Sequence, residues 1–335
     1  MPALTIQRIG IIGAGAWGTA LANAAADSGR DVVLWAREPE VVAAINGGHC
    51  NDIFLPGIPV HESVRATDVQ AEACDADAIL LVTPAQHLRG TGQDLAPHVR
   101  PGTPCVICAK GIEQGSNALL STVLGEVLPE ATAAVLSGPT FAKEVARGLP
   151  TAVTLACRDE AVGAALIQAL GSRTFRPYFS SDLIGAQIGG AVKNVLAIAC
   201  GIVTGRDLGE NARAALITRG MAEILRLGRA MGAESATLMG LCGLGDLVLT
   251  CSSATSRNMS LGVALAGGAV AKDYLAAQKS VAEGAFSVSA VTALAKQHGI
   301  EMPIAASVDA IINHAASIDR EIETLMSRPF TRELA

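Results

Sequence analysis

A glycine-rich segment near the amino terminus restricts the fold of this chain more than any other feature. Gly13, Gly15 and Gly18 form the pattern G-x-G-x-x-G, directly after the apolar run 9–12 and before the run of small residues 19–26. Between a strand and a helix, the first glycine permits a tight turn, the second lets the backbone approach a pyrophosphate, and the third lets helix and strand pack closely. The phosphates lie at the amino end of the helix. The segment therefore predicts a dinucleotide-binding site; the alternative is a tight strand–helix turn without a ligand.

Short apolar runs alternate with longer amphipathic runs from Arg8 to about Phe179. The apolar runs 9–12, 32–34, 78–82, 105–109, 133–136 and 151–156 predict strands. Alternating strands and helices indicate the α/β class, with an N-terminal Rossmann-like, doubly wound and mostly parallel sheet.

After about Ser180 the pattern predicts an all-α region, with long helical runs that include 183–204, 211–231 and 289–298. Residues between the two regions supply breakers and a helix cap, namely Pro177, Ser180, Ser181 and Asp182. We therefore expect a Rossmann domain over residues 1–182 and a helical substrate and catalytic domain over residues 183–335.

Composition agrees with two folded domains and excludes several classes of protein. Of 335 residues, 50% are hydrophobic and only 3% are aromatic, which excludes a disordered chain and suits parallel strands and closely packed helices. The net charge of −6 argues against nucleic acid or an anionic membrane as the main partner. Small anionic substrates stay possible because a few local cations can bind them.

Targeting and cysteine patterns indicate a cytoplasmic, soluble protein. The uncharged stretch between Arg8 and Asp27 could be a signal peptide, but its four glycines and Asn23 argue against that. Elsewhere charges are expected to interrupt every apolar run before it reaches the length of a membrane span. Cys105 and Cys108 form a C-x-x-C within a predicted buried strand, which favours buried small residues over a metal site; no metal is expected.

The end of the second predicted strand bears on the choice of cofactor. An acidic residue about 20 positions after the glycines would bind the 2′-hydroxyl of NAD. Arg37 stands there instead and could bind a 2′-phosphate, while the adjacent Glu38 could still take a hydroxyl. The sequence predicts that NADP is preferred and NAD tolerated; Arg37 as an ordinary solvated charge is the alternative.

Three later strands end in polar segments, and ligands of such sheets bind at the carboxyl ends of strands. The segments are Thr83-Pro84-Ala85-Gln86, Lys110-Gly111 and Ser137-Gly138-Pro139-Thr140. Lys110 suits a cation directed into a ligand site, or is a surface lysine on a turn. Gly138-Pro139 is equally compatible with a simple turn.

Lys193 and Asn194 lie inside an otherwise apolar predicted helix. Such a lysine must extend to water, form an ion pair or have a lowered pKa, and Gly189 one turn earlier would let another group approach the helix. The pair predicts a general acid/base, and a lysine at a domain edge is the alternative. We expect a bound phosphate to lie at a distance from the Lys193 amine, because a dianion would raise its pKa.

A second polar cluster contains Asp246 and, further along, Ser256, Arg257 and Asn258. A hydroxyl, a guanidinium and an amide at the start of a helix could form a phosphate receptor. Ser256 as a plain N-cap and Arg257 as a surface charge are equally compatible with the sequence.

Together these segments resemble the bacterial NAD(P)-dependent glycerol-3-phosphate dehydrogenase family. The resemblance rests on GAGAWGTALA (13–22), AKGIEQGS (109–116), SGPTFAKEVARGLPTA (137–152), GGAVKNVLAIACG (189–201), NARAALITRGMAEILRLG (211–228), GLGDLVLTC (243–251), SRN (256–258) and AEG (282–284). They span nearly the whole chain in order.

The resemblance implies interconversion of dihydroxyacetone phosphate and sn-glycerol 3-phosphate for phospholipid synthesis. It also implies a homodimer and a second domain similar to that of 6-phosphogluconate dehydrogenase. Lys193 would be the proton donor and acceptor. Implied substrate contacts are Lys110, Gly138, Thr140, Lys193, Asp246, Ser256, Arg257 and Asn258. Implied cofactor contacts, besides Gly13, Gly15 and Gly18, are Ala16, Trp17, Arg37, Lys110, Ala142, Arg257, Val281 and Glu283.

Three positions depart from the family pattern: Thr140 replaces a frequent Ser, Phe54 a frequent Tyr, and Ala282 a frequent Val. None removes a catalytic group. Two other functions stay open at this point, a hydroxyacid dehydrogenase of the same two-domain build and a non-catalytic sensor that binds NADPH.

Overall fold

The computed structural model of the chain describes residues 4–277 and 282–330. They divide into two compact units. The first comprises the chain up to Ala109 together with Leu120–Ala186; the second comprises Lys110–Leu119 and the chain from Gln187 onward. The domain limits predicted from the sequence, 1–182 and 183–335, remain a prediction. The division into units differs from them in two ways: it assigns residues 110–119 to the second unit and residues 183–186 to the first.

The first unit is built on a single sheet, which has eight strands among the described residues. The strands are β1 (Arg8–Ile12), β2 (Asp31–Trp35), β3 (Val64–Thr67), β4 (Ala78–Leu81), β5 (Pro104–Ile107), β6 (Thr132–Ser137), β7 (Thr151–Cys157) and β8 (Phe175–Ser180). Their order is β3-β2-β1-β4-β5-β6-β7-β8, and all neighbouring pairs are parallel except β6 and β7, which are antiparallel.

Helices connect these strands. They are α1 (Ala16–Asp27), α2 (Pro39–Gly48), α3 (Gln70–Cys74), α4 (Leu88–Leu95), α5 (Leu120–Val127), α6 (Ala142–Ala146) and α7 (Glu160–Leu170). Strands covered on both faces must be apolar throughout, and Ile9, Ile11 and Ile12 in β1 are accordingly fully buried. The mostly parallel, Rossmann-like architecture predicted from the sequence is confirmed.

Strand β1 lies where the order of the sheet reverses. It pairs with β2 on one side and with β4 on the other, and Ile12 is in register with both Trp35 and Leu81. The carboxyl ends of these three strands therefore meet at one edge, which is where ligands of doubly wound sheets bind.

Two strands were not predicted from the sequence. Strand β3 is short and contains Arg65, so it lacks an apolar run. Strand β8 contains Pro177, and the sequence interpretation of this residue as a breaker is wrong. Because β8 is the edge strand beside β7, the missing N–H of proline removes no hydrogen bond that a further strand would need.

The second unit is helical, as predicted. Its described helices are α8 (Leu183–Gly205), α9 (Gly209–Ala230), α10 (Ser235–Leu238), α11 (Asp246–Cys251), α12 (Arg257–Ala266), α13 (Ala271–Ala277), α14 (Glu283–Gln297), α15 (Pro303–Asn313) and α16 (Ile318–Met326). A π-helical turn, Leu241–Gly245, precedes α11. Asp182 caps α8, since its carboxylate accepts the Gly185 amide at 2.7 Å.

Helix α8 is buried along nearly its whole length. Among the described residues it alone meets the length and hydropathy of a membrane span, which corrects the expectation that charges interrupt every such run; 89% of its most apolar stretch is nevertheless buried within the protein. Glycines bring α8 and α12 into backbone contact: a Cβ at Gly201 would lie 2.1 Å from the Met259 carbonyl oxygen, and one at Gly262 would lie 2.1 Å from that of Ile198. This close parallel packing aligns the starting residues of α12 with the middle of α8.

Candidate active site

A buried ion cluster lies at the middle of α8. The Lys193 Nζ donates hydrogen bonds to Asp246 Oδ1 at 2.6 Å and to Thr250 Oγ1 at 2.9 Å. From the segment 110–119, the Lys110 Nζ donates to the other oxygen of the same carboxylate, Oδ2, at 2.7 Å. The Asp246 side chain is 1% exposed and those of Lys193 and Lys110 are 7% and 15% exposed. One buried carboxylate therefore holds two lysines, and Lys110 is not the surface lysine that the sequence left possible.

The environment of Lys193 brings its pKa into the range of an acid/base catalyst. Burial lowers the pKa of Lys193 from 10.5 to about 8, the attraction of Asp246 opposes that fall, and the positive charge of Lys110 adds to it. An amine with this pKa is mostly protonated at neutral pH, and its deprotonation costs little free energy there.

Thr250 is a member of the cluster that sequence reasoning missed. Its hydroxyl donates to the Asp246 backbone carbonyl at 2.6 Å, so its lone pairs remain available to accept from Lys193. The available signal was the i, i+4 spacing of Thr250 from Asp246 on a helix, which places both on one face.

Gly189 makes the approach of the neighbouring segment to α8 possible, as its position one turn before Lys193 predicts. A Cβ at this residue would lie 2.6 Å from the Cys242 carbonyl oxygen and 2.9 Å from the Gly243 Cα. The turn that leads into Asp246 thus packs directly on the backbone of α8.

A chain of buried amides extends from the residue after Lys193. The Asn258 Nδ2 donates to Asn194 Oδ1 at 3.0 Å, and the Gly284 backbone N–H donates to Asn258 Oδ1 at 3.0 Å. A Cβ at Gly284 would lie 2.5 Å from the Asn194 carbonyl oxygen, so only glycine permits this approach. The chain joins α8, α12 and the start of α14, whose first residue is Glu283. Val281 lies outside the described residues.

Ser256 and Arg257 lie at the amino end of α12. The Ser256 Oγ accepts the Met259 amide at 3.3 Å, so the N-cap role considered from the sequence is present, and the side chain is buried. Arg257 is the first residue of the helix and is exposed. The guanidinium and the helix amino end thus supply positive charge beside the buried Asn258.

The glycine-rich loop of the first unit has the geometry of a dinucleotide site. Gly13 has φ +114°, and a Cβ at Gly18 would lie 1.8 Å from the Gly13 carbonyl oxygen. A Cβ at Gly15 would meet nothing within 4 Å, which leaves open space before α1, whose first residues are Ala16 and Trp17. No side chain caps the amino end of α1. These features fit the pyrophosphate of a dinucleotide.

Asn51 supports this loop and was missed by sequence reasoning. It is 1% exposed, and its Nδ2 donates to the Ala14 carbonyl oxygen and to Thr19 Oγ1, both at 2.8 Å. Because Asn51 comes from the connection after α2, no local sequence pattern indicates this contact.

The other predicted cofactor and substrate positions of the first unit lie after β2 and β6. The Arg37 side chain is 83% exposed and forms an ion pair with Glu38 at 3.0 Å. Gly138 has φ +156°, and a Cβ there would lie 2.9 Å from the Val153 Cα, so this turn needs glycine. Thr140 Oγ1 donates to the Gly138 carbonyl oxygen at 3.2 Å, and Ala142 begins α6.

Seven of the eight cysteines are buried, and Cys50 is partly exposed. All eight lie in the described part of the chain and are free thiols. Cys105 and Cys108 are buried, and burial raises the pKa of Cys105 to about 12, which keeps it a neutral thiol. Over residues 4–277 and 282–330, no group of three or more His, Cys, Asp or Glu side chains is arranged to hold a metal ion.

Comparisons with known proteins agree over both units. The family model described as NAD-dependent glycerol-3-phosphate dehydrogenase N-terminus matches residues 8–163, and that for the C-terminus matches residues 182–323. The chain is 61% identical over 330 residues to glycerol-3-phosphate dehydrogenase [NAD(P)+] of Parvibaculum lavamentivorans, covering 98% of this chain and 99% of the relative. It is 57% identical to that of Maricaulis maris, at the same coverage of both. The crystal structure of glycerol-3-phosphate dehydrogenase from Coxiella burnetii has a TM-score of 0.92 at 39% identity and covers 96% of this chain and 99% of its own.

Proposed function

The chain belongs to the NAD-dependent glycerol-3-phosphate dehydrogenase family, and on this basis we propose that Lys193 is the acid/base group of the reaction at C2 of the substrate. The enzyme is an NAD(P)-dependent oxidoreductase that interconverts dihydroxyacetone phosphate and sn-glycerol 3-phosphate. The observation that carries the proposal is the buried Lys193 amine held by Asp246 at 2.6 Å.

In the direction of reduction, Lys193 donates its proton to the alkoxide that develops at C2. Its positive charge also stabilises that oxygen before the proton moves. Asp246 and Thr250 accept hydrogen bonds from the amine and orient it, so they are positioning residues for Lys193. In the direction of oxidation, the neutral amine accepts the proton of the C2 hydroxyl.

The substrate phosphate is bound by groups at the start of α12. Ser256, Arg257 and Asn258 offer a hydroxyl, a guanidinium and an amide at a helix amino end, which is a favourable environment for an anion. Lys110, Gly138 and Thr140 are further substrate contacts in this proposal. Binding through the remote phosphate contributes to the rate because it orients the carbonyl.

In this proposal the dinucleotide binds the loop Gly13–Gly18 with Ala16 and Trp17, and also Arg37 and Ala142. Lys110, Arg257, Val281 and Glu283 stay cofactor contacts that the family resemblance implies. When bound, the dinucleotide supplies or accepts the hydride. Either NAD or NADP serves the family, and the arginine at position 37, where an acidic residue would bind the 2′-hydroxyl of NAD, supports a preference for NADP. Initial rates with NADPH and NADH at equal concentration, measured for the wild type and for Arg37→Ala, test this preference.

The test of the acid/base role is the substitution Lys193→Ala. Turnover of dihydroxyacetone phosphate, followed by NADPH absorbance, should be abolished, whereas NADPH binding measured by fluorescence should change little. Lys296→Ala, which alters an exposed lysine on α14, is the matched control and should keep full turnover. Substantial turnover in Lys193→Ala would exclude the proposed role.

Arg257→Ala tests the phosphate site. It should weaken phosphate-bearing ligands by roughly ten- to a hundredfold, as expected for a lost charge-assisted contact. Equal weakening of glycerol, which has no phosphate, would contradict the assignment. A homodimer, a cytoplasmic location and a supply of glycerol 3-phosphate to phospholipid synthesis are further proposals; light scattering in solution tests the first.

A further inference from the structure

The carbonyl group of Ala14, within the glycine-rich loop, is held from its buried side. Asn51 Nδ2 donates to the Ala14 carbonyl oxygen at 2.8 Å, and the Thr19 hydroxyl donates to the same oxygen at 3.4 Å. Asn51 Nδ2 also donates to Thr19 Oγ1 at 2.8 Å, so the two side chains form one network. Asn51 is 1% exposed and Thr19 is fully buried. Water therefore cannot replace these hydrogen bonds when one of them is removed.

The hydrogen bonds to Ala14 determine the direction of the Gly15 N–H group. A trans peptide is planar and its C=O and N–H point in opposite directions, and the part of the chain that the structure describes has no cis peptide bond. Because the Ala14 carbonyl points at Asn51, the Gly15 N–H of the same peptide points away from it. A Cβ at Gly15 would meet nothing within 4 Å, so the loop borders open space at this residue. Gly15 is the N-cap of α1, where backbone N–H groups without a partner in the helix suit an anion.

The Asn51 side chain is itself held in place by the connection between α2 and β3. Asn51 Oδ1 accepts the Phe54 amide at 3.4 Å, which leaves Nδ2 directed at the loop. Asn23, on α1, holds the other end of this connection: its Nδ2 donates to the Pro59 carbonyl oxygen and its Oδ1 accepts the His61 amide, both at 2.9 Å. The connection is thus tied near both of its ends, and Asn51 is fixed before a ligand binds.

We propose that Asn51 is a positioning residue for the cofactor diphosphate: by holding the Ala14 carbonyl on the buried side, it turns the Gly15 N–H toward a phosphate oxygen. Asn51 acts through the loop and not by contact with the ligand. This inference rests on the proposed dinucleotide site and names a residue that prepares it. A donor that already points at the ligand binds it more tightly, because binding need not turn the peptide. The diphosphate is common to NAD and NADP, so the contribution of Asn51 is the same for both.

The test is Asn51→Leu, which has nearly the size of asparagine but no hydrogen-bond donor. The KM for NADH and the KM for NADPH should both rise about five- to tenfold. The kcat at saturating cofactor and the KM for dihydroxyacetone phosphate should stay near the wild-type values, because the loop binds only the cofactor in this proposal. An unchanged KM for both cofactors would contradict it.

Asn46→Leu is the matched control. The Asn46 side chain joins α2 to β3 through two hydrogen bonds with the Ala66 backbone, at 2.9 and 2.8 Å, and so resembles Asn51 in its bonding but not in its partner. This variant should keep the wild-type KM for NADH and for NADPH. Equal rises of the cofactor KM in Asn46→Leu and Asn51→Leu would overturn the proposal.

Calorimetric titration with ADP tests the diphosphate directly and without turnover. ADP contains the diphosphate but lacks the nicotinamide half, so Asn51→Leu should weaken ADP by the same factor as NADH. Thr19→Val keeps the shape of the side chain and the bond from Asn51 to Ala14, and removes only the longer bond to that carbonyl. It should weaken ADP in the same direction but by less. Wild-type affinity for ADP in both variants would overturn the proposal.

Thermal unfolding separates positioning from a purely structural role. The loss of buried hydrogen bonds should lower the melting temperature of ligand-free Asn51→Leu, and the stabilisation by added NADH should also shrink. A lower melting temperature together with unchanged cofactor KM and ADP affinity would show a structural role alone and overturn the proposal. Failure of the wild type to bind NADH, NADPH and ADP would instead overturn the proposed function, so the two failures are distinguishable.

Discussion

Replacing Asp246 by Asn should remove the protonated form of Lys193 at neutral pH, although the side chain keeps its size and shape. In the wild type the carboxylate accepts Lys193 at 2.6 Å and Lys110 at 2.7 Å. The amide in Asp246→Asn carries no charge, so the two lysines would share a buried site without a counterion. The Lys193 side chain is only 7% exposed and should then lose its proton, because burial disfavours its charged form.

The size of the effect follows from the ion pair. Opposite charges about 4 Å apart attract by about 4 kcal/mol at an effective dielectric constant of about 20. One pKa unit corresponds to about 1.4 kcal/mol, so loss of this attraction lowers the pKa of Lys193 by up to about 3 units. Starting from about 8, the pKa in the variant would fall to about 5. At pH 7 the protonated fraction would drop from about nine-tenths to about one-hundredth, and reduction would slow by about a hundredfold.

The assay is the pH profile of kcat for reduction of dihydroxyacetone phosphate. The wild-type rate should fall as the pH rises through about 8, because the proton donor is lost. In Asp246→Asn the rate should already fall below about pH 6, because the pKa of Lys193 is lowered in that variant. Asp319→Asn, which removes an exposed ion pair with Arg206, is the control and should keep the wild-type profile. A midpoint that stays near that of the wild type in Asp246→Asn would refute the electrostatic reasoning.

Two further substitutions test the packing and the titration of the helical unit. Gly189→Ala should destabilise the protein by about 1–3 kcal/mol in urea unfolding, since its Cβ would meet backbone atoms of residues 242 and 243. Gly125→Ala, on α5 with open space around it, should be neutral or stabilising, and equal losses in the two variants would contradict this account. Glu223 accepts the amides of Ile304 and Ala305 at the start of α15, and burial raises its pKa from 4.5 to about 7. The folded state therefore retains a proton that the unfolded chain releases, so stability should fall by about 3 kcal/mol from pH 4.5 to pH 7; Glu223→Gln should abolish that component, and an unchanged slope would argue against it.

Much of the first unit was predictable because its signals are local. An apolar run followed by G-x-G-x-x-G specifies a strand, a turn and a helix within about 20 residues. The structure shows a steric reason for Gly13, which has a positive φ, and for Gly18, which packs on the Gly13 carbonyl, whereas Gly15 borders open space. The exceptions are β3 and β8, which lie at the two edges of the sheet. An edge strand is covered less completely and tolerates Arg65 or Pro177, so its sequence lacks the apolar pattern by which strands are identified.

The candidate site was predictable in its residue types and only partly in its contacts. An isolated lysine in an apolar helix must find a partner, and Asp246 was a plausible one. That a single carboxylate would hold both Lys193 and Lys110 could not be derived, because these contacts join positions 53 and 136 residues apart in the chain. The spacing of Thr250 from Asp246 places the two on one helix face, but the contact of Thr250 with Lys193 joins positions 57 residues apart and could not be derived either.

The amino-acid sequence by itself determined the fold class and the dinucleotide loop. It also determined that one lysine lies in an apolar helix and must either form an ion pair or have a lowered pKa. These features depend on short-range sterics and on the apolar pattern, which neighbouring residues specify together. Only the tertiary structure decided the pKa of that lysine and the contact of Asn51 with the glycine-rich loop. Both depend on which distant groups come within hydrogen-bond distance and on how completely water is excluded, and packing of the whole unit determines these.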